Sequence, residues 1–117
     1  MTISKLNAST DEALGFKVSG DVTTADYEVL NPAVEEAVDR RGTIRLLLDL
    51  TEFHREKISA WGSDLRFGHR YHDTIDRLAI VGNRSWERHL AQLASPFYAR
   101  ESAFFETEAD AWAWLRE

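Results

Sequence analysis

The chain has 117 residues, which predicts a single domain able to bury roughly two thirds of the surface that its unfolded form exposes. It has no cysteine, which excludes disulfides, thiolate nucleophiles and cysteine-based zinc sites and favours a reducing, cytoplasmic location. The net charge of −6 opposes contact with phosphates, so no nucleic-acid partner is expected. No apolar run is long enough for a signal peptide or a membrane-spanning helix.

The first segments predict a β-hairpin. Residues 14–20, LGFKVSG, alternate apolar and polar side chains, as expected of a strand with one solvent-facing side. The preceding residues 3–6, ISKL, are expected to pair with that strand across a polar loop.

A helix is predicted next, from a threonine cap at residues 23–24 to the stop residue Gly42. Pro32 interrupts its apolar pattern, because proline lacks the backbone N–H and clashes with the preceding turn. Two alternatives stay open: a kink near Glu28, or a new helix start with Asn31 as cap and Pro32 in the first helical position.

Three apolar strands then alternate with helices. The strands are predicted at residues 43–50, 77–82 and 102–107, and the first is apolar on both faces, as in a central parallel strand. Helices are predicted in the stretches 57–73, 85–97 and 107–117. The order predicts an α/β fold with a mostly parallel sheet of four to five strands, an N-terminal hairpin and about four helices.

The last two helices carry recognisable start signals. Ser85 is the expected cap of the helix after residue 82, and Thr107 is the expected cap of the final helix, with Asp110 three residues on. The face of the final helix that docks on the sheet is expected to consist of Ala111, Trp112 and Leu115.

The segments GFKVSGDVTTADY, IRLLLDLTEF, RLAIVGN and SPF, at these intervals, resemble the SpoIIAA-like family of small bacterial STAS-type domains over residues 14–117. The resemblance implies a STAS-like sandwich that binds partners or small apolar ligands and associates peripherally with membranes. Antagonist STAS domains are phosphorylated on a serine at the start of the helix after the central strand. Here LTEFHREKIS follows Asp49 without the Asp-Ser-x-Gly-like turn, so that serine does not carry over, and only Ser59 lies in the region.

Asp49, at the carboxyl end of the most apolar strand, is the first candidate site residue, because ligands of open α/β sheets bind beyond the carboxyl ends of strands. Alternatively, Asp49 caps the following turn or pairs with an arginine. The residues expected to form a polar-rimmed apolar crevice with Asp49 are Thr51, Phe53, Trp61, Asn83 and Trp86.

Enzymatic alternatives use Asp49 and the histidines. Asp49, His54 and Ser59 are the residue types of a nucleophilic triad, but no motif supplies an oxyanion hole or a nucleophile elbow. His69 and His72 have a spacing that suits a metal, yet both fall on the apolar stripe of their predicted helix, so they are expected to border a packed face. We therefore expect no metal and no cofactor.

The helix predicted after residue 57 carries large apolar groups on two sides. If one side docks on the sheet, Phe67 and Tyr71 form a second surface, suited to a ligand lid, a subunit contact or a membrane-resting face. The alternative is that both rings fold over neighbouring loops and complete the core.

These observations predict a non-enzymatic binding module acting through residues 53–71 and the adjacent crevice. Its expected partners are a small apolar ligand or lipid, a protein (including a second copy in a weak homodimer) or a membrane surface that it contacts peripherally from the cytoplasm. The rival hypothesis is a small hydrolase or metal-dependent enzyme that uses Asp49 with His54, His69 and His72.

Overall fold

A mixed five-stranded sheet is the centre of the computed structural model, which describes residues 2–7, 9–10, 13–20, 24–53, 75–94 and 99–117. Strand β1 pairs antiparallel with β2, and the remaining pairs are parallel, in the order β1-β2-β3-β4-β5. This confirms the predicted hairpin and the mostly parallel sheet. The strands are β1 (Thr2–Lys5), β2 (Ala13–Gly20), β3 (Ile44–Phe53), β4 (Ile75–Val81) and β5 (Glu101–Phe105).

Strand β3 is buried on both faces, as its continuous apolar sequence predicts. Its even-numbered residues from Ile44 to Leu50 belong to the larger apolar core, whereas Leu47 belongs to a smaller core on the opposite face. The central strands therefore form a layer between two packed faces, and only their ends reach solvent.

The first helix, α1 (Thr24–Arg41), runs through Pro32 without a break, so the alternative of a separate start at that residue is wrong. Gly42 ends the helix with φ of 82°, a conformation that a side chain disfavours, and its N–H donates to the carbonyl of Val38 at 2.7 Å. The predicted stop residue is thus confirmed.

Fewer helices are described than the four predicted. The segment after β4 forms a 3₁₀ helix (Arg84–His89) that passes into the short α2 (Leu90–Ala94), so in the described part of this segment only five residues are α-helical. The final helix is α3 (Glu108–Leu115). The helix predicted in the stretch 57–73 lies outside the described residues.

The start signals of these segments are only partly as predicted. Thr107 caps α3, accepting the backbone N–H of Asp110 at 3.3 Å. The prediction that Ser85 caps the helical segment after β4 is wrong, because Asn83, just before the 3₁₀ helix, takes that role. Asn83 Oδ1 accepts both the backbone N–H and the hydroxyl of Ser85, each at 3.0 Å.

The two faces of the sheet are covered by different helices. Helix α1 and the segment after β4 pack on the larger core through Val34, Ala37 and Trp86. Helix α3 covers the smaller core, with Ala111, Trp112 and Leu115 buried, which confirms its predicted docking face. Helix α3 consequently begins at the carboxyl edge of the sheet, beside the end of β3.

Candidate binding site at the carboxyl edge of the sheet

Asp49 lies near the carboxyl end of β3 on the face covered by α3, and only 3% of it is exposed. Of the side chains that the structure describes, it is the only charged or polar one that is buried. Its Oδ1 accepts the hydroxyl of Thr51 at 2.6 Å and the backbone N–H of Thr51 at 2.9 Å. Both bonds lie within β3, which continues to Phe53, so Asp49 holds the strand in place at Thr51 and does not cap a turn there.

A second carboxyl group, that of Glu108 in the first turn of α3, lies within reach of the Asp49 carboxyl group. Lys17 is the register neighbour of Asp49 on β2, and its ammonium lies 2.7 Å from a carboxylate oxygen of Glu52. The carboxyl edge of the sheet thus carries a group of interacting charges formed by β2, β3 and α3. We call Asp49, Glu108, Lys17 and Glu52 the carboxyl-edge cluster.

The pKa values of Asp49 and Glu108 are shifted in opposite directions. Burial pushes the pKa of Asp49 upward, but hydrogen bonds from Glu108 and Thr51 and the charge of Lys17 more than offset this, so its pKa lies below the ordinary value. The hydrogen bond to Asp49, with burial and the Asp49 charge, raises the pKa of Glu108. As pH rises, Asp49 is thus the first of the two to ionise, and Glu108 keeps its proton to a higher pH.

Trp112 lies one helical turn beyond Glu108 and is almost fully buried. Its indole nitrogen has no hydrogen-bond partner of good geometry, yet it lies close enough to Glu108 to lower the pKa of that carboxyl group. A buried N–H donor without a partner costs free energy. Glu108 therefore lies between a carboxylate that favours its protonated form and a donor that favours its ionised form.

An open cleft of about 380 Å³ lies beyond the ends of the parallel strands β3 and β4. It is lined by Thr51, Gly82, Asn83 and Glu106, which follow Asp49, β4 and β5 in the chain. The structure thus brings together two predicted site residues, Thr51 and Asn83, while Asp49 lies behind Thr51. Sequence analysis missed the contributions of Glu106 and Glu108.

Phe53 and Trp86, also predicted to line the crevice, pack against each other in the larger core. They are 5% and 6% exposed, and their rings meet edge to face with centroids 6.3 Å apart. A β-bulge explains the position of Phe53: β2 advances two residues from Lys17 to Ser19 while β3 advances three, from Asp49 to Glu52. The extra residue turns Phe53 onto the face of the larger core.

The other candidate residues lie outside the described residues: Trp61, Phe67 and Tyr71, the histidines 54, 69 and 72, and Ser59. Within the described ranges, no group of three or more histidine, aspartate and glutamate side chains has an arrangement that could hold a metal ion. None of the helices in those ranges is long and apolar enough to cross a membrane.

A smaller cleft of about 290 Å³ lies at the opposite, amino edge of the sheet. Arg45 in its wall donates to the backbone carbonyls of Leu115 and Glu117 and lies 3.8 Å from Asp76. These contacts fix the end of α3 to the sheet. The guanidinium of Arg45 is therefore engaged in holding the fold together.

Comparisons with known proteins agree with this architecture. A family model described as SpoIIAA-like matches residues 13–116. The chain is also similar to a crystal structure of an uncharacterized protein from the DUF3478 family with a SpoIIAA-like fold, from Shewanella loihica PV-4. The two chains are 31% identical, with 97% of this chain and 91% of the other covered and a TM-score of 0.69. Among curated proteins there is no significant match.

Proposed function

Because this chain belongs to the SpoIIAA-like family, whose fold alone specifies no activity, we propose from its site that it is a non-enzymatic binding module. Its ligand is a small molecule with an apolar body and a polar end that donates hydrogen bonds. The polar end binds in the cleft lined by Thr51, Gly82, Asn83 and Glu106.

The position of the cleft carries the proposal. It lies where parallel strands end, which is where open α/β sheets bind ligands. Behind it, the hydrogen bonds from Asp49 to Thr51 hold one wall in place. Asp49 is thus a positioning residue, which holds the wall that meets the ligand.

The hydrogen bonds of the lining residues define the chemistry of the ligand. The hydroxyl of Thr51 donates its proton to Asp49, so towards the cleft its oxygen can only accept. Glu106 adds an acceptor carboxylate. The chain carries six more acidic than basic residues, which further disfavours an anion. The Oδ1 of Asn83 accepts from Ser85, so its amide nitrogen adds one donor to the lining. The two acceptors and the net charge nevertheless favour an amine or hydroxyl head group over a carboxylate.

The carboxyl pair Asp49–Glu108 is the observation that would favour an enzyme, because perturbed titratable groups are common at active sites. However, Asp49 is buried, its Oδ1 accepts both hydrogen bonds from Thr51, and Glu108 lies beside it. The residues that line the cleft do not include either carboxyl group of the pair. This arrangement favours a structural role for the pair and a binding role for the cleft.

The surface predicted for Phe67 and Tyr71 remains a proposal of its own, based on the sequence. Both rings belong to the chain segment that joins β3 to β4, which leaves β3 at the carboxyl edge of the sheet, where the cleft lies. We propose that this surface contacts the apolar body of the ligand, a membrane or a second subunit.

The test uses two matched probes, hexylamine and hexanoate, which share an apolar chain and differ in the charge of the head group. Titration of the isotope-labelled protein followed by ¹H–¹⁵N NMR should show hexylamine shifting the amides of Thr51, Gly82 and Asn83. The variant Glu106→Gln should weaken that binding. Glu101→Gln, at the other end of β5 and outside the cleft lining, is the matched control and should not weaken it.

Equal binding of hexanoate, or shifts that avoid the cleft, would contradict the proposal. Native mass spectrometry of the purified protein adds an independent measurement, since a ligand retained from the cell appears as a fixed added mass. The retained compound should carry an amine or hydroxyl head group.

A further inference from the structure

Strand β5 is the last strand of the sheet, and no strand among the described residues pairs with its outer side. An unpaired edge exposes a row of backbone donors and acceptors that can pair with another chain. We propose that β5 is a dimer interface, at which two copies of this chain pair antiparallel about a two-fold axis through Ala103. The two sheets then form one continuous sheet.

The backbone of β5 has the orientation that this register requires. The N–H of Gly82 donates to the carbonyl of Phe105 at 3.1 Å, so Phe105 directs its backbone towards β4. Alternate residues of a strand direct their backbone groups to opposite sides, so Ser102 and Phe104 direct theirs to the outer edge. With the axis at Ala103, Ser102 of one copy lies opposite Phe104 of the other, and the pair can exchange both backbone hydrogen bonds.

The charges that flank β5 match the same register. Arg100 precedes the strand and Glu106 follows it, and both are exposed. Both residues lie just outside the strand, and the N–H of Arg100 donates to the carbonyl of Ile75. With the axis at Ala103, the end of each strand that carries Arg100 lies beside the end of the other that carries Glu106, so the two long side chains can form two equivalent ion pairs across the interface. An axis at Ser102 would put Arg100 opposite Phe104 instead. The charge pattern therefore selects the register centred on Ala103.

Pairing would also cover apolar surface that the described chain leaves partly open. Phe104 and Phe105 are only partly buried, whereas their neighbours on β4, Ile80 and Val81, are almost fully buried. Side chains directly opposite each other across paired strands stabilise a sheet. Because β5 is short, the interface is small, and the dimer is therefore weak and reversible.

The experiment measures the dimerisation of the full chain by sedimentation velocity across a concentration series, without added ligand. Arg100→Glu turns both ion pairs into like-charge contacts and should raise the dimer Kd by about tenfold or more. The double variant Arg100→Glu with Glu106→Arg restores opposite charges in the exchanged order and should return the Kd to near the parent value. Circular dichroism checks that each variant is folded.

A second variant tests the backbone pairing. Ser102→Pro removes an N–H that faces the outer edge, not the one that bonds to β4, and should abolish the dimer in a folded protein. A parent chain that stays monomeric throughout the series would overturn the proposal. The proposal would also be overturned if Arg100→Glu weakens the dimer and the double variant with Glu106→Arg does not restore it.

Discussion

Gly15 of β2 lies directly against the indole ring of Trp112 on α3. A Cβ atom on Gly15 would lie 2.6 Å from Cζ2 and 2.8 Å from Cη2 of that ring, closer than side chains tolerate. The glycine is therefore required by the close approach of the helix, because Trp112 fills the space that any larger residue would need. This contact fixes α3 on the sheet and holds Glu108 beside Asp49.

We predict that Gly15→Ala lowers the free energy of unfolding by about 1–3 kcal/mol, the usual cost of overpacking a core. In a Trp112→Leu background the same substitution should cost clearly less, because the smaller side chain leaves room for the methyl group. Urea denaturation of the four proteins measures both effects. Equal costs in the two backgrounds would mean that the ring contact does not limit position 15.

The carboxyl pair should make stability depend on pH in a defined way. The raised pKa of Glu108 means that the native chain binds its proton more tightly than the unfolded chain, whose glutamate titrates at the ordinary value of 4.5. This contribution to stability is fully present below pH 4.5 and is lost as pH rises through the folded pKa. The lowered pKa of Asp49 has the opposite effect. Its contribution to stability is present above pH 3.8, the ordinary pKa of an aspartate, and is lost as pH falls through the folded pKa.

Glu108→Gln removes the part of this pH dependence that arises from Glu108, because glutamine has no proton to lose and remains a donor to Asp49 at every pH. The variant should be more stable than the parent at neutral pH, and the difference should shrink as pH is lowered towards 4.5. Asp110→Asn, at an exposed position in the same turn of α3, is the matched control. Thermal melts in a pH series provide the measurement, and parallel curves for Glu108→Gln and the parent would show that Asp49 does not raise the pKa of Glu108.

Asp49 and Thr51 should contribute unequally to the fold. Asp49→Ala leaves the backbone N–H of Thr51 without its acceptor and removes the partner of Glu108, so a loss of about 1–3 kcal/mol is expected. Thr51→Val keeps the backbone hydrogen bond to Asp49 and should cost less than Asp49→Ala. Denaturant titrations rank the two variants, and the reverse order would show that the hydroxyl is the main partner of the buried carboxylate.

Local sequence patterns predicted the helices and strands of this fold. They could not predict contacts between residues that are distant in sequence. Gly42 and Thr107 were identified as helix boundaries because their roles depend on the few residues beside them. The pairing of Glu108 with Asp49 depends on how α3 lies across the sheet, which the sequence around either residue does not specify. Only the place of Glu108 in the first turn of a predicted helix hinted at a special environment.

The β-bulge in β3 is the clearest case of a local irregularity with a distant effect. Simple alternation from Leu47 and Asp49 places Phe53 on the face of α3, whereas the extra residue moves it into the larger core beside Trp86. No glycine or proline in β3 signals the bulge. The predicted aromatic lining of the crevice therefore became core packing in the structure.

Trp86→Ala tests whether Trp86 packs in the core or lines the crevice. If the ring packs in the core, its truncation should lower the free energy of unfolding by about 3–5 kcal/mol. If the ring lines an open crevice, truncation should lower it far less. Leu90, which is only partly buried against the same core, supplies the comparison, and Leu90→Ala should be milder. If Trp86→Ala melts like the parent but loses hexylamine binding, the ring serves the ligand and not the core.

The last prediction concerns Phe67 and Tyr71, which we expect to support weak, reversible association with a membrane or a second subunit. Burying two such rings gains roughly 3–6 kcal/mol, while forming a complex costs an estimated 4–15 kcal/mol in lost freedom. The net charge of −6 adds repulsion from anionic lipid, so lasting contact must recruit further residues, with Trp61 the nearest other aromatic side chain in sequence. Replacing both rings by serine, followed by liposome flotation, sedimentation and thermal melting, should give a folded protein with reduced association. A collapse of the melting temperature with flotation and mass unchanged would instead assign the rings to the core.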